Sequence, residues 1–195
     1  IFFDGTTGNH VSVKKEVPFD KCIFENNKFF VKVDNAILEP GKLSGNAESK
    51  NNKIIWDLSY SGDSSGHDQN PFTGQTAPSG QTDSATFVSH PDSKPLFFLP
   101  ENLYEGGFPK AKLLVGLPHA SFSGQLIVNE KTIEIENWIG SQNHNWGIKH
   151  TDNYAWGQVA GFDNSHESFF EVSTARLKFG PLWTPFLTLM VLRHK

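Results

Sequence analysis

Apolar and polar residues alternate with a period of two in several runs of this chain, and no segment holds a 3.6-residue period over a helix's length. A strand sends successive side chains to opposite faces, so each alternating run predicts a strand with one packed face and one wet face. Such runs occupy residues 11–17 (VSVKKEV) and 29–33 (FFVKV), and 54–58 (IIWDL) is a compact strand candidate with Trp56 and Asp57 on opposite faces. The clearest hairpin joins 122–128 (FSGQLIV) to 132–138 (TIEIENW) across Asn129, Glu130 and Lys131. There Ile133 and Ile135 share the inner face and Glu134 and Glu136 face solvent. In 154–162 (YAWGQVAGF), Tyr154, Trp156 and Gln158 share one face, with Ala155, Gly157 and Val159 on the other. Small residues opposite large ones suit a curved strand. In 168–177, Phe169, Glu171, Ser173 and Ala175 lie together, and 186–192 is a final apolar run.

Turn signals separate these runs at Asn26-Asn27, Asp34-Asn35, Pro40-Gly41 and Leu117-Pro118-His119. Residues 43–50 are polar, and 61–84 read as one long polar loop in which His67 and Asp68 are solvated neighbours. The pattern predicts an all-β, antiparallel barrel or sandwich, with 1–195 as a single domain.

Composition narrows the picture. Phe contributes 17 residues while charged residues make up only 19% of the chain, a balance that favours strands and turns over helices. The net charge is -4 and no basic tract appears, which disfavours nucleic acid as a partner. The single cysteine, Cys22, excludes an internal disulfide. The first residues lack the basic start and long apolar run of a signal peptide. The run near the C-terminus is too short for a membrane helix and contains Pro185. If a leader has been removed, a periplasmic or secreted location is favoured; otherwise the location is cytoplasmic.

Candidate chemistry concentrates in residues 140–161 (GSQNHNWGIKHTDNYAWGQVAG), which hold two of the eight histidines and two of the five tryptophans. His144 is flanked by Asn143 and Asn145, and His150 is followed closely by Asp152. A histidine there can move or hold a proton near neutral pH, or it can be a buried histidine bonded to backbone. His150 and Asp152 form an oriented pair if the segment is extended; a solvent-exposed pair is the other reading. Two histidines without a recognised spacing do not make a metal site, so neither a metal nor any other cofactor is expected. Trp138, Trp146, Tyr154 and Trp156 either line an apolar pocket, where aromatic faces can steady positive charge, or simply pack a core.

Trp138-Ile139-Gly140, His144-Asn145-Trp146-Gly147 and Trp156-Gly157-Gln158, with Trp56-Asp57-Leu58 upstream, resemble the carotenoid 1,2-hydratase (hydroxyneurosporene synthase) and AttH-like lipocalin-like superfamily. The likeness spans residues 40–192 in layout, and its specific part is about 25 residues. It implies a lipocalin-like β-barrel, the N-terminal of two in tandem, so that this chain would be part of a longer two-domain protein with a second barrel outside it. It also implies a hydratase or cyclase acting on an apolar, isoprenoid-like or polyene substrate. The family commonly reads D-H-N-W-G where this chain has Asn143. An amide cannot serve as the acid that protonates an alkene. Asp57 or Asp152 would then have to supply that acid, beside His144 as the orienting group. Trp56, Asn145, Trp146, Tyr154, Trp156 and Gln158 would contact substrate. The expected partner is a hydrophobic small molecule, with peripheral contact to a membrane. A carrier without catalysis, or a structural domain whose aromatics only pack, would share the same pattern.

Overall fold

In the computed structural model the described residues are 1–25, 28–62, 96–97 and 110–194. They form antiparallel strands with no α-helix among them; a single 3-10 turn spans Phe19–Lys21. The strands are β1 (Phe2–Phe3), β2 (His10–Val11), β3 (Cys22–Phe24), β4 (Val31–Val33), β5 (Ala36–Glu39), β6 (Lys42–Ser49) and β7 (Asn52–Gly62). They continue as β8 (Leu96–Phe97), β9 (Ala111–Val128), β10 (Lys131–Gly147), β11 (Asn153–Phe162) and β12 (Ser165–Arg176). The last are β13 (Lys178–Phe179), β14 (Leu182–Trp183) and β15 (Leu187–Arg193). The all-β, antiparallel class expected from the alternation is the class observed.

The chain divides into two compact units. The first holds Ile1–Ser61 and Ser121–Trp138. Its meander runs β3-β4-β5-β6-β7 and continues to the parts of β9 and β10 that belong to it. Phe29, Ile54, Tyr60, Val128 and Ile135 are its buried apolar side chains. Tyr60 stacks on Phe122 at 5.6 Å and donates its hydroxyl to the Glu39 carbonyl at 3.0 Å, which satisfies the polar end of a ring that packing requires inside. Asn129 closes the β9–β10 hairpin with φ 56°. It is tied to β7 by a bond from the Lys53 N–H to its side chain (2.9 Å) and one from its own N–H to the Lys53 carbonyl (2.7 Å). Asparagine tolerates that left-handed conformation, so the connection shrinks from the expected three residues to two. Glu134 and Glu136 are exposed, as the alternation requires.

The second unit holds Gly62–Ala120 and Ile139–Lys195. Within it β11, β12 and β15 form a three-stranded sheet, and β13 and β14 a separate hairpin. Leu114, Val115, Leu117 and Ala120 are fully buried, so β9 is covered on both faces here and reads as an apolar run instead of an alternation. Val115 packs on Phe169, with Ala160 and Val191 against them.

The strands depart from the sequence pattern at several places. The polar residues 43–50 form most of β6, extended because ladders hold it on both sides, pairing Leu43 with Leu38 and Leu58, and Ala47 with Ile54. Of residues 11–17 only Val11 lies in a strand, and the run Lys14-Lys15-Glu16 is exposed. Strand β9 runs straight through Pro118 rather than breaking there, since the fixed φ of proline suits an extended chain and only its missing N–H is a cost. The segment around His144 is the far half of the long strand β10. The loop reading for 61–84 falls on Ser61 and Gly62, which belong to β7, and otherwise, with His67 and Asp68, outside the described residues.

Candidate functional site

The β11–β12 hairpin builds the site. Its register sets Gln158 opposite Glu171, Trp156 opposite Ser173 and Ala160 opposite Phe169; Val191 of β15 lies opposite Glu171 on the other side. Alternation therefore puts Trp156, Gln158, Ala160, Phe169, Glu171 and Val191 on one face of the sheet. Glu171 is completely buried there, beside the Phe169–Val115 contact.

Both oxygens of the Glu171 carboxyl are held. The Trp156 indole N–H donates to Oε1 at 2.8 Å, a diagonal contact across the strand pair, and the Gln158 amide donates to Oε2 at 3.0 Å. Gln158 is fixed in turn by β10: the Ser141 hydroxyl donates to its Oε1 at 2.6 Å, and its Nε2 also donates to Asn143 Oδ1 at 3.4 Å. Each amide atom of Gln158 thus has a defined role and its orientation follows from the network. Burial pushes the Glu171 carboxyl above its ordinary value, against the opposing pull of the bonds from Trp156 and Gln158. Trp156 is itself 47% exposed, so one side chain spans from solvent to the buried acid. On β9, on the same parity as Val115, the His119 Nε2 atom is buried and has no hydrogen-bond partner among the described residues.

His144 lies on the opposite face of β10 from Ser141 and Asn143. It stacks on Trp146, two residues on, with ring centroids 4.9 Å apart and planes within 12°. Burial lowers its pKa from 6.5 to about 4, so the imidazole is neutral at physiological pH and acts as a hydrogen-bonding group, not as a proton source. Gly147 ends the strand at φ 138°, and a Cβ there would lie 2.0 Å from the Lys110 carbonyl oxygen. That carbonyl accepts the Ile148 N–H at 3.1 Å. The glycine after Trp146 is thus demanded by backbone passing against backbone.

The remaining candidates have contacts of their own. His150 is exposed and stacks on Tyr154 at 5.4 Å, while the Asp152 carboxylate pairs with Lys149, so each has a partner other than the one expected. Asn145 is exposed on the Asn143 side of β10. Trp56 and Asp57 belong to the first unit. There Trp56 packs against Gly45, where a Cβ would meet its ring at 2.9 Å, and Asp57 is exposed 3.7 Å from the Lys42 ammonium. No three His, Cys, Asp or Glu side chains among the described residues group as a metal site.

The sequence reading did not single out Glu171 or Ser141. The signal for Glu171 was present: an acid at a strand position sharing its face with Phe169, within the run Phe169-Phe170-Glu171-Val172. The chain matches no family model, no curated protein and no solved structure.

Proposed function

We propose that this chain is a hydratase- or cyclase-type enzyme acting on an apolar isoprenoid-like or polyene substrate, with Glu171 as its acid. The observation that carries this reading is a wholly buried carboxyl, pushed toward its neutral form and clamped by Trp156 and Gln158. A carboxylic acid kept neutral in apolar surroundings is the group that alkene protonation requires. In hydration, the Glu171 proton would pass to one alkene carbon and leave the cation on the other. The Trp156 ring would steady that cation, water would add, and the proton released by water would return to Glu171. His119 Nε2, buried without a partner among the described residues, is suited to holding that water. On this reading Glu171 takes the role left open by Asn143, and His144 supports the wall through its stack on Trp146.

The lipocalin-like barrel belongs to the same proposal. Its support is that β10 side chains bond to β11, of the separate β11-β12-β15 sheet, through Ser141 and Asn143. Membership of the carotenoid 1,2-hydratase and AttH-like group, with a second barrel beyond this chain, is proposed on the motifs quoted above. A second reading, a non-catalytic carrier of an apolar molecule, is favoured by one fact: both Glu171 oxygens already accept hydrogen bonds, as in a satisfied structural acid.

The test is incubation of an acyclic isoprenoid polyene in D₂O with mass analysis of the product. The wild-type protein should yield a product carrying one deuteron at carbon. Glu171→Gln should lower the rate by about 10²–10⁴-fold while fluorescence of a bound apolar probe is retained. A turnover rate left unchanged in Glu171→Gln removes the acid role. Probe binding without turnover in either protein leaves the carrier.

A further inference from the structure

The end of the chain reverses the charge balance of the whole. There are 21 acidic residues against 17 basic ones overall, yet residues 172–195 contain no Asp or Glu and include Arg176, Lys178, Arg193 and Lys195. Two of these cations sit at the β13–β14 hairpin, whose turn is Gly180-Pro181, with Gly180 at φ 58°. The Arg176 guanidinium lies 4.5 Å above the Trp183 ring and 5.1 Å from Phe186, and the Lys178 ammonium lies 5.5 Å from Trp183. Neither cation has a carboxylate partner among the described residues. Around them large apolar side chains stand in solvent: Leu182 is 72% exposed, Trp183 41%, Phe186 54% and Leu187 58%.

We propose that this hairpin, with Phe186 and Leu187, docks the protein on an anionic membrane surface. Exposed apolar area alone would suit any apolar partner, but Arg176 and Lys178, with no carboxylate partner among the described residues, select a negatively charged one. A tight hairpin presents its side chains at a turn, which a bilayer admits without a preformed cavity and a folded partner does not. Tryptophan placed beside lysine and arginine is interfacial chemistry: the ring lies at headgroup depth while the cations reach the lipid phosphates. The patch also adjoins the exposed end of the Trp156 strand, since Arg176 pairs with Asn153 and Ala175 with Tyr154. Docking stands independently of the proposed chemistry, because it requires nothing of Glu171.

The experiment is co-sedimentation of the whole chain with sucrose-loaded phosphatidylcholine vesicles, with and without phosphatidylglycerol, at low and high salt. The protein should pellet with the anionic vesicles and be released by salt as the screening length shortens. Lys178→Gln should lower the partition coefficient about fivefold, and Leu182→Ser about tenfold. Both positions are exposed, so unchanged melting curves should accompany both losses. Failure to pellet with either vesicle overturns the proposal, as does pelleting that neither salt nor the two substitutions alter. Self-association in gel filtration that Leu182→Ser abolishes, without vesicle binding, would assign the hairpin to a protein contact instead and equally overturn it.

Discussion

Replacing His144 with glutamine should flatten the acid side of the protein's stability profile. The imidazole is driven from 6.5 to about 4 by burial against Trp146. Its folded-state pKa therefore lies below its unfolded-state value. Between those values the unfolded chain takes up a proton that the folded chain refuses, so stability is lost as pH falls from 6.5 toward 4. The linkage relation gives a loss of about 2 kcal/mol at pH 5 and about 3 kcal/mol at pH 4, relative to pH 8. Glu171 acts in the opposite sense. Its folded-state value is raised, so its ionisation destabilises the fold as pH climbs through 4.5 toward that higher value, and acidification relieves this. Because Glu171 is present in both proteins, its contribution cancels when wild type and His144→Gln are compared at each pH. The assay is urea unfolding of both proteins at half-unit steps from pH 8 to pH 4. The difference in unfolding free energy should shrink by about 3 kcal/mol across that interval. Equal pH slopes, or an imidazole resonance in the folded protein that titrates near 6.5, would show that His144 is not desolvated as described.

Two further outcomes follow from the same strands. Gly147→Ala drives a Cβ into the Lys110 carbonyl at a φ that alanine avoids, and should cost about 3 kcal/mol in the same unfolding assay, with the β10 end frayed in amide exchange. Trp156→Phe removes the indole donor to Glu171 Oε1, so the infrared band of the protonated carboxyl should persist to higher pH than in wild type, at a stability cost of about 1–2 kcal/mol; an unchanged band would separate the indole from the acid.

The sequence made the strands legible where one face is wet. The alternation through Tyr154, Trp156 and Gln158, and through Phe169 and Glu171, is the alternation in β11 and β12. It could not reveal which face is inward, because the residue that buries the Glu171 face, Val115, comes from a strand more than 50 positions earlier. Nor could it fix the register opposing Gln158 to Glu171, which depends on the irregularity between Ala160 and Phe162. The density of rings and imidazoles near His144 was visible, but the acid it was expected to serve was sought at Asp57 and Asp152, whose carboxylates lie beside Lys42 and Lys149. Polar β6 was invisible for a related reason: pairing on both edges, not side-chain pattern, holds it extended.

The polar network around Gln158 joins partners only 13, 15 and 17 positions apart, whereas the bonds from β7 to β9 and to the turn that follows it close intervals of 64 and 76. Closing the longer interval costs about 1.4 kcal/mol more chain entropy than closing the shorter. Folding should therefore reach the Ser141–Gln158–Glu171 cluster early and the β7–β9 ladder late. Substitutions in the cluster would then slow refolding, and those at Lys53 or Asn129 would mainly hasten unfolding. The buried acid would thus be part of the nucleus from which the fold grows, so selection for rapid folding and selection for the site's chemistry would fall on the same few residues.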